Sequence, residues 1–496
     1  MYSTQFEQVR NSIRHNLAFD DQINAKDSRI RGKELRKKSP RSAHAKWNPP
    51  EDRPSPIALL LSQAKSRVPE LIPIRYERMA ESAFAFYRGS ALLMANDLAG
   101  TPNSGIRVQA CGDAHISNFG LFQSPERRLV FDINDFDETA RGPWEWDVKR
   151  LVTSVEICGR QQGLTKEQRY AATTATAAAY HNTMNSFAEM GTLDVWYAHA
   201  DIDSLSNKIN DQESKNYRKA VDKVVDKARK KNSARAVSKF TEIEEGKLRI
   251  VSQPPLIVPM RELLKNSTDP LIIKCGESKC EEFIALVLAE YRKSLSHDKQ
   301  HLVKQYRAVD IARKVVGVGS VGTRAWIVVL EGSGPDDMLV LQIKEAQRSV
   351  LERYVGKSPF LQHGQRVVEG QRAMQTASDI FLGWTRSVGL DGKVHDFYVR
   401  QLWDGKGSFD LSSIDAEGLT ALGKLCGWTL AHAHARTGNR FALAGYLGNS
   451  DTFDRAIVSF ANEYANQNEQ DFNEFMEAYR DGTLNQTTGM QPLKLF

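Results

Sequence analysis

Ile311-Ala-Arg-Lys-Val-Val-Gly317-Val-Gly319-Ser320-Val-Gly322-Thr323-Arg324 runs into Ala325-Trp-Ile-Val-Val-Leu330, and after a Gly/Asp turn the chain continues Met338-Leu-Val-Leu-Gln-Ile-Lys344. Three glycines at G-x-G-x-x-G spacing carry little information alone, so the flanks decide the reading. A dinucleotide-binding turn runs into a helix, whereas Trp326 to Leu330 is β-branched and bounded by Glu331-Gly-Ser-Gly-Pro-Asp-Asp. That predicts a loop joining two strands of a hairpin. A Walker loop requires Gly-Lys-Ser/Thr, and here the residues are Gly322-Thr323-Arg324. Alternation along the next strand puts Val340, Gln342 and Lys344 on one face and Leu339, Leu341 and Ile343 on the other. One face would build the core of a small β lobe, and the other would offer Lys344. Glycines let backbone amides approach phosphates without a Cβ in the way, so Gly317, Gly319, Ser320 and Gly322 are candidate contacts to a triphosphate and Lys344 a candidate grip on it.

Two hundred residues earlier, Gly112-Asp113-Ala-His115-Ile-Ser-Asn118 is followed by Leu129-Val-Phe-Asp132-Ile-Asn-Asp135-Phe-Asp137-Glu138 and then by Gly142-Pro-Trp-Glu-Trp-Asp147. Leu129, Val130, Phe131 and Ile133 predict a short strand that delivers carboxylates at its end. Four acidic groups within seven residues repel one another unless a cation lies among them. Oxygen ligands with one amide suit Mg2+, so the cluster that includes Asp132 and Asp135 is a candidate Mg2+ site; an acidic surface turn would give the same pattern in isolation. Lys344 also needs an anion on a nearby helix. Gln365 to Ser378 has helical composition and Glu369 as its only acid, so Glu369 is nominated, with Glu352 as competitor. Asp396 to Leu402 reads as a strand leading to the turn where an adenine would lie.

The loop Gly112-Asp113-Ala-His115-Ile-Ser-Asn118 resembles the Gly-Asp-x-His-x-x-Asn catalytic loop of aminoglycoside phosphotransferases and other kinase-like small-molecule kinases, and Asp135-Phe-Asp137 followed by Asp147 is similar to their metal-binding and helix-starting aspartates. Over about residues 30 to 450, the motifs Arg41-Ser-Ala-His44, Phe86-Tyr-Arg-Gly, Asn134-Asp-Phe-Asp-Glu, Gly-Pro-Trp-Glu-Trp-Asp and the glycine-rich loop resemble the bacterial domain-of-unknown-function 2252 family. The resemblance implies an α+β, protein-kinase-like fold of two lobes that binds ATP and Mg2+. Asp113 would be the base for a substrate hydroxyl, ionised at pH 7 at an ordinary carboxylate pKa. His115 would hold the loop, Asn118 and Asp135 would ligate magnesium, Lys344 would grip phosphates, and Glu369 would position Lys344. Two departures stand out. Cys111 replaces the usual histidine before the glycine, so support for the loop must come from elsewhere. The acidic loop also precedes the glycine-rich loop, which implies a circularly permuted chain.

The expected division is a basic, Pro-rich arm over 1–70, a helical catalytic lobe over 71–300 with a charged insertion at 201–255, a small antiparallel β lobe over 301–405, and C-terminal helices over 406–496 that complete the large lobe. Hydrophobic residues at 41% and charged residues at 26% exclude a disordered or fibrous chain. The net charge is 67 − 61 = +6, and Lys208 to Lys239 alone holds 11 Lys/Arg against four acids, a balance of +7. Tyr217, Val221, Val224, Val225 and Ala228 fall at helical spacing there, which predicts an amphipathic helix with a solvated basic face; nucleic-acid binding is the less favoured reading, since no aromatic residue interleaves the charges from Arg218 to Lys239. No apolar run is long enough for a membrane span, Met1 to Asp21 lacks the apolar core of an export signal, and five cysteines without CxxC spacing, Cys275 and Cys280 being the closest pair, point to reduced thiols in a cytoplasmic protein. The function expected is ATP-dependent phosphoryl transfer to a small-molecule hydroxyl. The alternatives are a metal-dependent phosphoesterase using Asp113, Asp132, Asp135 and His115, and a nucleotide-binding regulator without turnover.

Overall fold

A computed structural model describes residues 24–201, 215–265, 276–389 and 391–486. The expectations for Met1 to Asp21, for Lys208, Asp211 and Glu213, for the side chains of Tyr217 and Cys280, and for Cys275 lie outside the described residues. The protein is a mixed α+β structure in two parts. Four long helices, Trp144–Gln161, Lys166–Phe187, Ala416–Thr437 and Thr452–Arg480, pack as the core of the larger part. Trp144–Gln161 is buried along nearly its whole length, as an interior helix must be when it is covered on all sides. Small residues bring two of its neighbours close. A Cβ on Gly423 would lie 2.1 Å from Thr176 Oγ1, and one on Gly427 would lie 2.5 Å from the Thr176 carbonyl. Both chain halves therefore build this helical part, and the sheet-bearing part lies between them in sequence.

Short strands decorate the helices. β1 (Arg107–Ala110) pairs with β4 (Ala140–Pro143), and β2 (Phe119–Gln123), β3 (Leu129–Ile133) and β5 (Ala200–Asp201) form a three-stranded sheet. A hairpin of β6 (Thr241–Glu244) and β7 (Lys247–Ile250) leads to the second part. This is a six-stranded sheet of β8 (Ile257–Pro259), β9 (Arg307–Lys314), β10 (Ala325–Glu331), β11 (Met338–Ala346), β12 (Gly383–Val388) and β13 (Val394–Gln401), antiparallel throughout and ordered β12-β13-β11-β10-β9-β8. The glycine-rich loop joins β9 to β10, the hairpin the sequence predicts. Leu339, Leu341 and Ile343 pack with Tyr291, Ile311 and Val399 on one face, while Val340 packs with Ile327 and Val329 on the other. The sheet starts earlier than residue 301, because β8 pairs with β9 and the helix Gly276–Lys293 lays Ile284, Val287 and Tyr291 on it. Three strand residues ending in Pro259 and preceded by Pro254-Pro255 show no alternation, which hid this edge.

The insertion helix Lys215–Arg229 buries Val221, Val225 and Ala228 against the core, and Lys223 and Lys227 face solvent, the amphipathic arrangement the spacing predicts. The arm lies along the helical part. Arg36 donates to the Gly445 and Tyr446 carbonyls, His44 meets Tyr446 Oη at 2.7 Å, and Arg53 bridges Asp97 and Asp471 at 2.8 and 2.6 Å. Its helix Ala25–Lys38 crosses Arg440–Leu447 at glycines, and a Cβ on Gly32 would stand 2.1 Å from the Ala442 carbonyl. Gly32→Ala must push the two helices apart, and an overpacked contact costs about 1–3 kcal/mol. A melting temperature several degrees below wild type is expected by calorimetry.

Candidate active site

Gly112 opens the loop that carries Asp113. Its φ of +82° is left-handed, and a Cβ there would lie 2.3 Å from the Glu138 carbonyl, so no other residue fits. The support that Cys111 does not supply comes from Asp147, whose carboxylate accepts from the Cys111 and Gly112 amides at 2.6 and 2.9 Å. Buried His434 contacts the same carboxylate at 3.2 Å and Tyr180 Oη at 2.9 Å. Asp147→Ala leaves two buried amides without a charged acceptor, each such bond contributing about 1.5–3 kcal/mol. A loss of about 3–5 kcal/mol in urea unfolding is expected.

Asp113 receives the Arg150 Nε at 2.6 Å, while Arg150 also donates to the Tyr87 carbonyl and lies 4.3 Å from the centre of its ring. Burial pushes the Asp113 carboxyl up to about 6 in spite of that guanidinium. It is therefore not the ordinary carboxylate that the sequence suggests. His115 is buried, and desolvation together with Arg88 and Arg150 keeps its imidazole neutral. Its Nε2 sits 3.8 Å from Asp113 Oδ2, and its Nδ1 has no partner. Asn118 donates through Nδ2 to the Asp113 carbonyl at 2.7 Å, which leaves its amide oxygen for another partner.

Lys344 extends across from the sheet. Its Nζ lies 2.7 Å from Asp137 Oδ2 and 3.9 Å from Asp135 Oδ2. Ser320 Oγ and Tyr398 Oη also donate to Asp137, at 2.9 and 2.7 Å. Burial opposes ionisation of Asp137, but Lys344 and the two hydroxyls outweigh it and hold the carboxyl down at about 2. Lys344 is raised in turn, because the carboxylates of Asp135 and Asp137 overcome its desolvation. Asp135 keeps a third of its side chain exposed. Asp113, Asn118, Asp135, Asp137 and Lys344 thus line one cavity of about 340 Å3, roofed by Gly317 to Ser320.

The roof is clamped from the helical part. Arg67 donates to the Gly319 carbonyl at 3.0 Å and to that of Val321, Arg78 donates to the Val316 carbonyl, and the Val68 amide donates to Gly322 at 2.7 Å. Gly322 needs its φ of +91°. No atom lies within 4 Å of a Cβ built on Gly317, so that glycine leaves open space above the cavity.

Three expected roles are not what the structure gives. Glu369 pairs with Arg372 at 3.3 Å on a half-exposed face, and Glu352 lies against Arg366 and Arg348. Neither reaches Lys344, because Asp137 from the acidic loop already occupies that ammonium. Asp132 points away from the cavity, since strand alternation turns it toward the Thr376 amide and Arg436, and burial raises it to about 7. Arg366 in turn was missed: it is buried and donates to the Thr139, Asp137 and Gln347 carbonyls at 2.5, 2.8 and 2.8 Å, tying its helix to the acidic loop. Arg88 and Arg400 also line the cavity, and Arg88 Nε is buried without a partner. Phe86-Tyr-Arg88-Gly is the local signal for Arg88.

No cluster of three or more His, Cys, Asp or Glu side chains able to hold a metal occurs among the described residues. Asp135 and Asn118 line the same cavity, and oxygen donors of this kind are the type Mg2+ takes when water and phosphate oxygens fill its remaining positions.

Fold and site together define an α+β protein in which a glycine-rich hairpin and an acidic loop, far apart in sequence, face one another across a cleft. The chain belongs to the bacterial family described as an uncharacterized protein conserved in bacteria (DUF2252), whose sequence model matches residues 67–478. No curated protein and no solved structure matches it. No helix among the described residues is long and apolar enough to cross a membrane.

Proposed function

We propose that the protein is a Mg2+-dependent, kinase-like phosphotransferase of permuted lobe order that moves the γ-phosphate of ATP to a hydroxyl of a small-molecule acceptor. The observation that carries this reading is the meeting of Lys344 with Asp135 and Asp137, 3.9 and 2.7 Å away and more than two hundred residues apart in sequence. Phosphoryl transfer asks little covalent work of a protein and much positioning and charge neutralisation. Mg2+, held by Asp135 and Asn118 with the nucleotide's own phosphates, would supply positive charge to the transferring group. Lys344 holds phosphate oxygens, backbone amides at Gly317 to Ser320 cover them, and Leu402, just past β13, borders the cleft where the base would lie. Asp113 takes the acceptor's hydroxyl proton, and Arg150 fixes its orientation. The phosphoesterase alternative loses Asp132, which faces away from the other carboxylates.

Arg88, which lines the cavity beside Asp113 and Asp135, meets the terminal phosphate in this reading. Isothermal titration of ATP and ADP with magnesium tests both points. Wild type binds both nucleotides, and Arg88→Ala weakens ATP at least tenfold while ADP changes less than twofold. Failure of wild type to bind either nucleotide would overturn the proposal.

A further inference from the structure

The phosphotransferase reading leaves unexplained why the net positive charge of the chain sits in one stretch, Lys208 to Lys239. The structure brings part of that insertion to the cleft. Trp403 and Phe240 pack with ring centres 5.1 Å apart, and three ammonium groups converge on the pair. Lys231 and Lys239 lie 5.6 and 5.3 Å from the Trp403 ring, and Lys314 lies 5.3 Å from Phe240. The Gly405 amide donates to the Lys231 carbonyl at 2.7 Å, which fastens the insertion to the turn that carries Lys406. Lys314, Arg400, Trp403 and Lys406 line the same cavity as Asp113 and Lys344.

These cations lack ion-pair partners: none of Lys231, Lys239, Lys314, Arg400 or Lys406 has one among the described residues; Arg400 donates to the neutral oxygens of Gln342 and Asn134. Asp404, in the same turn, is taken by Arg127 at 2.8 Å. The crowding is visible in the basicity of the lysines, whereas Arg400, in spite of its desolvation, is raised by Tyr398 and by the charges of Asp135, Asp137 and Asp379. Arg400 pushes the Lys406 amine down to about 7, and desolvation with neighbouring cations lowers Lys231 and Lys314. Lysines held close to one another without ion-pair partners cost free energy that an anionic ligand would relieve.

Resting on that reading, we infer that the acceptor is a small phosphate-bearing molecule drawn into the cleft past a cationic rim formed by Lys231, Lys239, Lys314 and Lys406. Lysine ammonium groups suit phosphate as point charges. A cationic acceptor of the aminoglycoside type would be repelled by the same rim. A single-stranded nucleic acid is disfavoured because Trp403 offers no free face for a base, one side meeting Phe240 and the ring being approached by two ammonium groups.

The test is calorimetric binding of fructose 1,6-bisphosphate, fructose and kanamycin to the full chain with the nucleotide site saturated by ADP and magnesium. The bisphosphate should bind at least tenfold tighter than the other two. Lys231→Gln/Lys239→Gln should remove at least tenfold of that affinity, whereas Lys223→Gln/Lys227→Gln, on the solvent face of the insertion helix, should change it less than twofold; unchanged melting temperatures show that both variants fold. The inference is overturned if fructose or kanamycin binds as well as the bisphosphate, if both double variants weaken it equally, or if a 20-nucleotide single strand binds tighter than the bisphosphate. The two readings fail separately. A protein that prefers the bisphosphate but never binds ATP with magnesium keeps the rim and loses the phosphotransferase, and one that consumes ATP while preferring kanamycin does the reverse.

Discussion

Lys344→Met should abolish the stabilisation that ATP with magnesium confers on the protein and lower phosphoryl transfer by a factor on the order of 10³, since removing one preorganised charge contact from such a site costs about 10²–10³ in rate. Methionine nearly preserves volume, so the effect is one of charge. Asp137 would lose its ammonium and keep only the hydroxyls of Ser320 and Tyr398. Breaking one side of a buried pair costs about 3–5 kcal/mol, and the apo variant is expected to melt lower than wild type by calorimetry. Two readouts separate the roles. A structural ammonium alone would lower the melting temperature and leave the nucleotide-dependent shift intact, whereas a phosphate ligand loses that shift even where the variant is fully folded.

Asp113→Asn should lower kcat by a factor on the order of 10³ with little change in nucleotide affinity, as expected for loss of a general base. The wild-type pH profile carries the sharper statement. The base must be deprotonated to accept the hydroxyl proton, and burial holds its carboxyl up at about 6. The rate should therefore be flat above about pH 7 and fall tenfold per unit below about 6, a limb that initial rates across pH 4.5–8.5 would place. An ordinary carboxylate would put that limb two units lower. In the asparagine variant the limb disappears together with the activity.

Much of this site was legible in the sequence because its parts are local. The glycine spacing, the strand after it and the lysine at its end are each set within thirty residues by alternation and by backbone freedom. The same holds for the loop around Asp113, and for the face that Lys344 shares with Val340 and Gln342. What escaped was partner choice at long range. Glu369 was nominated because an extended lysine needs an anion and that helix has one, but the acidic loop brings Asp137 closer, and nothing in a linear pattern ranks two carboxylates by distance. Asp132 looked like a ligand because it stands among three others, although one step along a strand turns a side chain to the opposite face. Arg366 carries no local mark and Arg88 stands out only within Phe86-Tyr-Arg-Gly, and only tertiary placement makes one a strut and the other a lining residue. The β8 edge escaped for the opposite reason, being too short and too rich in proline to show a period.

Because the helices that cradle Asp113 come from both ends of the chain, synthesis order matters. When the ribosome has made residue 405, Lys166–Phe187 still lacks the helix that interlocks with it at Gly423 and Gly427, and Asp147 still lacks His434. The sheet-bearing insert has all its strands by then. A nascent chain therefore holds a finished lid over an unfinished vessel, and the carboxylates gain their fixed spacing only when the last hundred residues return to close it.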